Sequence, residues 1–432
     1  MPIPFLTHVL LEGPPDWMPE AWTLVKWTSS IGALALTKWY SAGATNKAEK
    51  NLHGRVILMT GGTSGIGAVT TYELAKRGAQ VVLLTHQSPS DPFLIEFVED
   101  MRERTENQFI YAEQVDLSSL HSIRQFATRW VDNSPPRRLD AIILGAATMT
   151  PPGGARKETA EGIETTWMVN YLANFHLLGI LSPAIRAQPF DRDVRIVVTT
   201  CSSYISSPPL DKALEKNTWS PKGAYARSKL ALMVFACAYQ KHLDAYKRPD
   251  QLPMNARVIL ADPGFTRTPG TMRWLSRGTI WGLFIYILMY PIWWLLLKSA
   301  NMGAQSILFT VMDSSMGPGR NAGGKMVKEC IQVDYARKDV CDEEVAKKLW
   351  ESSDKLIEKA EKEAALKRAK AKKAEEMKQE EAREAEKVEE IDALLETIAK
   401  GRAKKAQKEK EKEKEKAKGN KDGKKSKSAK SK

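Results

Sequence analysis

The stretch Thr60-Gly61-Gly62-Thr63-Ser64-Gly65-Ile66-Gly67 constrains this chain more than any other. It follows Arg55-Val56-Ile57-Leu58-Met59, an apolar, β-branched run of the kind buried on both faces of a parallel sheet. It precedes Ala68 to Arg77, which has helical spacing and stops at Gly78. Strand, glycine turn and helix together make the cradle that a pyrophosphate needs. Gly61 allows a sharp turn, Gly65 lets backbone approach a phosphate, and Gly67 lets the helix pack tightly on its strand. The helix start adds free N–H groups and a partial positive charge. Thr63, Ser64 and Ile66 are further contact candidates in the same loop. The spacing is T-G-x(3)-G-x-G rather than G-x-G-x-x-G, so the loop has to be weighed with the rest of the chain.

That context repeats along residues 54–270. Apolar runs at 55–60, 80–85, 109–115, 140–145, 194–200 and 256–261 read as strands, and stretches such as 66–78, 119–131, 160–179 and 223–243 have helical spacing. Strands alternating with helices predict an α/β fold, a Rossmann-type doubly wound parallel sheet. A ligand is then expected at the carboxyl ends of the strands, where their order reverses.

The second chemical signal is Tyr225-Ala226-Arg227-Ser228-Lys229. Tyr and Lys four apart share one helix face. A free phenol, with a pKa of about 10, exchanges protons poorly near neutrality. A neighbouring ammonium stabilises the phenolate and brings that value down. The pair opens the apolar run Leu230-Ala231-Leu232-Met233-Val234-Phe235. Alone it could be a helix surface pair; downstream of the glycine loop it reads as an acid/base couple.

Together these motifs resemble the short-chain dehydrogenase/reductase superfamily. The retinol-dehydrogenase-like branch is the most similar, through Asp116-Leu117-Ser118-Ser119-Leu120, Ile123-Arg124-Gln125-Phe126, Gly303-Ala304-Gln305-Ser306, Gly324-Lys325 and Leu349-Trp350-Glu351. The resemblance covers roughly residues 52–357. It implies a nicotinamide dinucleotide held by the glycine loop, by Asp116 and Leu117 at the adenine, by Ala146, and by Lys229 at the ribose. Asp262-Pro263-Gly264-Phe265-Thr266-Arg267-Thr268 resembles the loop that holds the carboxamide, which implicates Pro263, Gly264, Thr266 and Thr268. Met168-Val169-Asn170-Tyr171-Leu172 resembles the helix segment whose asparagine joins a catalytic tetrad, here Asn170 with Tyr225, Lys229 and a serine.

Two departures stand out. Where the family has Asn-Asn-Ala-Gly, this chain has Leu144-Gly145-Ala146-Ala147, which keeps the small residues and loses the asparagines. At the serine, Thr199-Thr200-Cys201-Ser202-Ser203 offers two registers. Ungapped, Cys201 takes the place; with one inserted residue, Ser202 does. A thiol is a weak donor, so Ser202 is the expected carbonyl donor, with Ser203 next.

The second strand ends Leu83-Leu84-Thr85-His86-Gln87, with no acid before Asp91. An acid there would accept the ribose 2′-hydroxyl of NAD. Its absence, with Thr85 and His86 in that place, favours NADP(H).

The flanks tell a different story. Ten of the thirteen net positive charges fall in residues 401–432, so the basic balance belongs to a tail. That tail lacks interleaved aromatics and does not predict nucleic-acid binding. Residues 359–400 read as a charged helix and 401–432 as a disordered low-complexity tail. Residues 1–50 form an N-terminal extension outside the domain at 51–358. Its segment 21–40 is largely apolar with aromatics near both ends, which suits an interfacial helix. Residues 278–297 carry no charge and six aromatics. As one helix, residues 279–297 would be about 28 Å long at roughly 1.5 Å per residue. A span there would cut the domain in two, and Pro291 would kink it. The segment 279–297 is therefore expected as an apolar flap, or a monotopic membrane segment exposing Trp281, Phe284, Leu288 and Trp293. Four scattered cysteines without C-x-x-C point to a reducing compartment and no metal.

The sequence thus predicts an intracellular, membrane-associated oxidoreductase, on endoplasmic reticulum or lipid droplets, with mitochondria as the alternative. It would transfer hydride between NADP(H) and a small hydrophobic carbonyl or alcohol. The rival is a catalytically silent nucleotide-binding scaffold of the same fold. Whether copies of the chain assemble as a homo-oligomer is left open.

Overall fold

A computed structural model describes residues 21–211, 218–317 and 323–425. The proline-bearing start of the chain and residues 426–432 of the tail lie outside the described residues. The chain divides into two units, residues 1–361 and 362–432.

In the first unit, strands β1 (Val56–Thr60), β2 (Gln80–Thr85), β3 (Ile110–Gln114), β4 (Ala141–Leu144), β5 (Val194–Thr199) and β6 (Ala256–Asp262) fall within one residue of the apolar runs. Two short strands follow, β7 (Lys325–Lys328) and β8 (Ile331–Val333). The sheet order is β3-β2-β1-β4-β5-β6-β7-β8, parallel through β7, with β8 antiparallel at the edge. Chain order reverses between β1 and β4, which pair from Ile57↔Ala141 to Thr60↔Leu144. The crevice beyond Thr60 and Leu144 is where such a sheet holds its ligand.

β1, β4, β5 and β6 are buried at every position because helices cover both faces. One face carries helices Leu120–Val131 (α4), Thr165–Arg186 (α5) and Pro221–Asp244 (α6). The other carries Gly65–Lys76 (α2), Pro92–Thr105 (α3) and Ala300–Met312 (α10). Leu58, Ile142 and Val198 point to the first face, and Ile57, Met59 and Ile143 to the second. Each such side chain contributes about 1.5–3 kcal/mol on burial.

Among the described residues, α5 alone is long and apolar enough to cross a membrane, and it is mostly buried in this core. It begins later than 160 because Thr159 to Ile163 make a turn closed by a Glu158↔Glu164 bridge. It runs past 179 and carries Pro183 inside it.

Two apolar segments leave the core exposed. Helix α1 (Ala21–Ala42) presents Trp22, Trp27, Ile31, Leu34, Leu36 and Trp39 to solvent. Residues 269–296 form three short helices, α7 (Pro269–Leu275), α8 (Ile280–Leu288) and α9 (Tyr290–Leu296), not one long one. The break falls at Met289, one residue before α9 begins, with Pro291 in the first turn of α9. A proline there has no N–H to lose and sits comfortably only in a first turn. Trp281, Phe284 and Leu288 are exposed as expected, at 80%, 60% and 69%. Trp293 is not: its ring stacks on Tyr286 at 6.3 Å, and Trp294 faces outward in its place.

The last helix, α11 (Glu343–Lys425), starts earlier than 359 and does not end at 400. Its first turns belong to the core: Trp350 meets Phe175 and Phe235 at 5.1 and 5.6 Å, and the Ser353 and Tyr171 hydroxyls are 2.7 Å apart. In the second unit it is an exposed helix with i,i+4 pairs such as Glu396–Lys400 at 2.8 Å. Residues 401–425, expected as the start of a low-complexity tail, continue the helix in the structure. Lys, Glu and Ala are good helix formers, and nothing before Gly419 except Gly401 interrupts them.

Candidate active site

The glycine loop bends where Gly61 takes φ +70°, a left-handed conformation. A Cβ on Gly61 would lie 2.7 Å from Ala146 N, and one on Gly67 only 1.9 Å from Gly61 O. So Gly61 brings β1 against Ala146 at the sheet's reversal point, and Gly67 seats α2 on the loop. Ser64 precedes α2 without a side-chain cap bond. The first N–H groups of α2 are therefore left for a ligand. Gly65, at φ +56°, faces the Thr268 side chain, so the glycine loop and the loop after β6 close on one crevice. A narrow glycine-lined cradle on an uncapped helix start fits a dinucleotide pyrophosphate.

The flanking candidates stand at or just beyond the carboxyl ends of β2, β3 and β6. Thr85 is buried at the end of β2, with its hydroxyl accepting from Gln87 N; His86 beside it is exposed. Asp91, the next acid, is committed elsewhere: it caps α3 by accepting from Phe93 N and Leu94 N. Asp116 holds its own turn, accepting from Ser118 N at 2.8 Å, with Leu117 buried behind it. Thr266 is buried and bridges Lys298, while Thr268 caps α7 through Thr271 N.

Asn170 lies in a π-helical turn, Met168–Leu172, within α5. Such turns are common at functional sites. Its amide is fully buried and clamps Thr148 through both N–H and C=O, at 2.7 and 2.9 Å, and reaches Ser228 Oγ. The loop after β4 is thus braced from α5, although its own asparagines are missing.

Tyr225 and Lys229 sit one turn apart near the start of α6, where Ser220 caps and Pro221 begins the helix. Lys229 is buried and donates to Thr199 O at 3.1 Å; its ammonium lies 5.8 Å from the centre of the Tyr225 ring. Burial pushes Lys229 below its ordinary value, opposed by the nearby Cys201 and Asp262. Burial also holds the Tyr225 phenol well above its ordinary range, and Cys201 and Asp262 push the same way. The lowering expected from Lys229 is not seen at Tyr225.

The expected serine, Ser202, is not brought to Tyr225 in the structure. Its hydroxyl turns to the buried carboxylate of Asp262, at 2.8 Å, and receives Lys328 Nζ at 3.2 Å. The side chain against Tyr225 is Cys201, with Sγ 3.7 Å from the phenol oxygen, and Ser203 Oγ lies against that sulfur. Cys201 is still extended, at φ −159°, whereas Ser202 starts a 3₁₀ turn, Ser202–Ser206.

The apolar segment 279–297 meets the loop after β6. Arg267, in the loop after β6, donates to Tyr290 OH at 3.0 Å and stacks on its ring. Helix α1 joins from outside: Lys38 donates to Trp294 O, with its ammonium 4.6 Å from that ring, and Ser41 donates to Leu295 O. Ala44 N then donates to Glu329, which also pairs with Lys298 beside Gly264.

The short chain dehydrogenase family model matches residues 55–277. An uncharacterized oxidoreductase of Schizosaccharomyces pombe, pbr1, is 40% identical over 379 residues, covering 85% of this chain and 98% of the relative. Mouse retinol dehydrogenase 13 is 30% identical, covering 76% of this chain and 91% of the relative. Mouse polyprenol dehydrogenase is 31% identical, covering 69% and 82%. A crystal structure of an uncharacterized Mycobacterium paratuberculosis protein is similar with a TM-score of 0.52 and 23% identity, covering 73% of this chain and 98% of that one; it speaks for the fold alone.

Proposed function

The chain belongs to the short-chain dehydrogenase family, in its retinol-dehydrogenase-like branch, and from that premise we propose that it is an NADP(H)-dependent oxidoreductase acting on hydrophobic carbonyls and alcohols at a membrane surface. The carrying observation is the Cys201–Tyr225–Lys229 group at the strand ends beside an exposed apolar flap. The names of two relatives, retinol and polyprenol dehydrogenases, support a hydrophobic substrate.

The bound nicotinamide would supply or accept the hydride. Tyr225 passes the proton at its phenol oxygen to or from the substrate oxygen. Lys229 holds positive charge under that ring. Asn170 keeps the loop after β4 in place through Thr148. Cys201 orients the substrate oxygen, and as a thiol polarises it only weakly. The apolar flap keeps water from the reacting atoms.

A turnover screen with NADPH and NADP⁺ against retinal, polyprenals, sterol ketones and fatty-acyl ketones, and their alcohols, tests this reading. Binding of nucleotide with no turnover of any of them would favour the scaffold reading.

The role of Cys201 has its own test. Cys201→Ala should lower the rate by about tenfold, less than the 10²–10³-fold usual for a strong oxyanion donor. Cys201→Ser should equal or exceed the wild type, and Ser202→Ala should cost no more than about threefold, since its hydroxyl serves Asp262. A larger loss in Ser202→Ala than in Cys201→Ala would return the role to Ser202.

Cofactor choice follows from Thr85 and the committed Asp91. NADPH should bind at least about tenfold tighter than NADH, and Thr85→Asp should reverse that order. A carboxylate there repels a 2′-phosphate and accepts from a 2′-hydroxyl. Direct titration of both nucleotides measures it; tighter NADH binding by the wild type would refute it.

A further inference from the structure

One buried charge in this site has no part in the chemistry so far. Asp262 ends β6 with no exposed surface. Burying a carboxylate is costly unless it is hydrogen-bonded and its charge is balanced. Its oxygens accept from Ser202 Oγ and from Gly264 N, each at 2.8 Å. The Gly264 bond ties it to the very loop that resembles the carboxamide-holding segment. In the sheet it stands in register with Lys328 of β7, whose ammonium lies 4.0 Å from it and is half-exposed. Tyr225 and Lys229 on α6 are near enough to feel its charge. Lys298, on the other side of Gly264, is already paired with Glu329. Two ammonium groups, Lys229 and Lys328, therefore face a single carboxylate that is anchored on a loop of the proposed cofactor site.

We propose that Asp262 is a positioning residue that supplies the counter-charge for the cationic, oxidised nicotinamide ring, and that Ser202, Gly264 and Lys328 fix and moderate that charge. The inference rests on reading the loop Pro263–Thr268 as the nicotinamide loop. NADP⁺ carries a positive ring charge that NADPH lacks. A fixed negative charge nearby therefore tightens the oxidised form and leaves the reduced form unaffected. The ratio of the two affinities reports the charge at this point, whereas a merely structural contact moves both affinities together. A bias toward bound NADP⁺ also draws hydride from NADPH onto a carbonyl, the direction of reduction.

The test is binding alone, with the full chain, titrating NADPH by its fluorescence and NADP⁺ by competition. Asp262→Asn should weaken NADP⁺ relative to NADPH by at least about tenfold, the size of a unit-charge interaction across about 12 Å at an effective dielectric of about 20. Lys328→Met, which removes a positive charge beside Asp262, should tighten NADP⁺ relative to NADPH severalfold. Ser202→Ala keeps the carboxylate and should move the ratio less than about twofold. Opposite shifts in the two charge variants support the proposal. Equal changes in both affinities, or shifts of the same sign, overturn it. If Asp262→Asn does not fold, an unmoved ratio in Lys328→Met overturns it on its own. If the wild type binds neither nucleotide, the cofactor reading fails instead and takes this inference with it.

Discussion

Tyr225→Phe is expected to abolish measurable turnover, by about 10²–10⁴-fold, the range contributed by a positioned general acid or base. NADPH affinity should stay within about twofold of the wild type. The substitution removes one oxygen and leaves the ring in place. That oxygen lies against Cys201 Sγ, in the crevice at the strand ends. Lys229→Ala should behave differently. It takes away a buried ammonium and leaves Thr199 O without its donor, so both rate and nucleotide binding should fall. Measuring kcat beside the NADPH dissociation constant separates the two variants. Wild-type-like turnover in Tyr225→Phe would sink the acid/base assignment.

The second large effect concerns attachment. In a chain lacking residues 1–42, the flap should still hold the domain on phospholipid vesicles. Replacing Trp281, Phe284 and Leu288 together by Asp should release it, with partitioning reduced by more than about 10²-fold. All three side chains are exposed, and large apolar groups each bring about 1.5–3 kcal/mol on leaving water. In the full chain the same triple variant should be held partly by α1. Flotation on a density gradient reads both cases. A flap that never binds vesicles would be only a cover over the crevice. Protease shielding of residues 323–425 in sealed vesicles while 54–270 are cleaved would mean that the flap spans. The break at Met289 speaks against a span, because α8 has only 9 residues and α9 only 7.

The parts of the fold written as burial patterns were legible in the sequence. β2 was found to the residue, because both faces of a central parallel strand must be apolar and Gly78 and the polar run after Thr85 bound it. β7 and β8 were missed. They are four and three residues long, Lys325 and Lys328 flank the buried pair in β7, and β8 is largely exposed at the edge. Tyr225 and Lys229 could be seen because helical spacing alone puts them together. That Cys201 rather than Ser202 lies against Tyr225 could not be read from hydrogen-bonding strength. It follows from where β5 stops being extended, which depends on the 3₁₀ turn after it and on Asp262 capturing Ser202. Trp293 and Trp294 were confused for a similar reason. A two-residue choice in a short helix depends on its roll, and stacking on Tyr286 sets that roll.

The joint between α1 and α9 has a consequence for kinetics. Two apolar elements from distant parts of the chain leave the domain at one place, clasped by Lys38 and Ser41. The flap that they share also hangs from Arg267, in the loop lining the crevice. On the proposed membrane reading, an enzyme held that way would meet a water-insoluble substrate in a plane rather than in a volume. Its rate would then follow the mole fraction of substrate among the surrounding lipids. Adding inert phospholipid would slow it although the amount of substrate per millilitre is unchanged, and diluting the whole suspension with buffer would hardly matter.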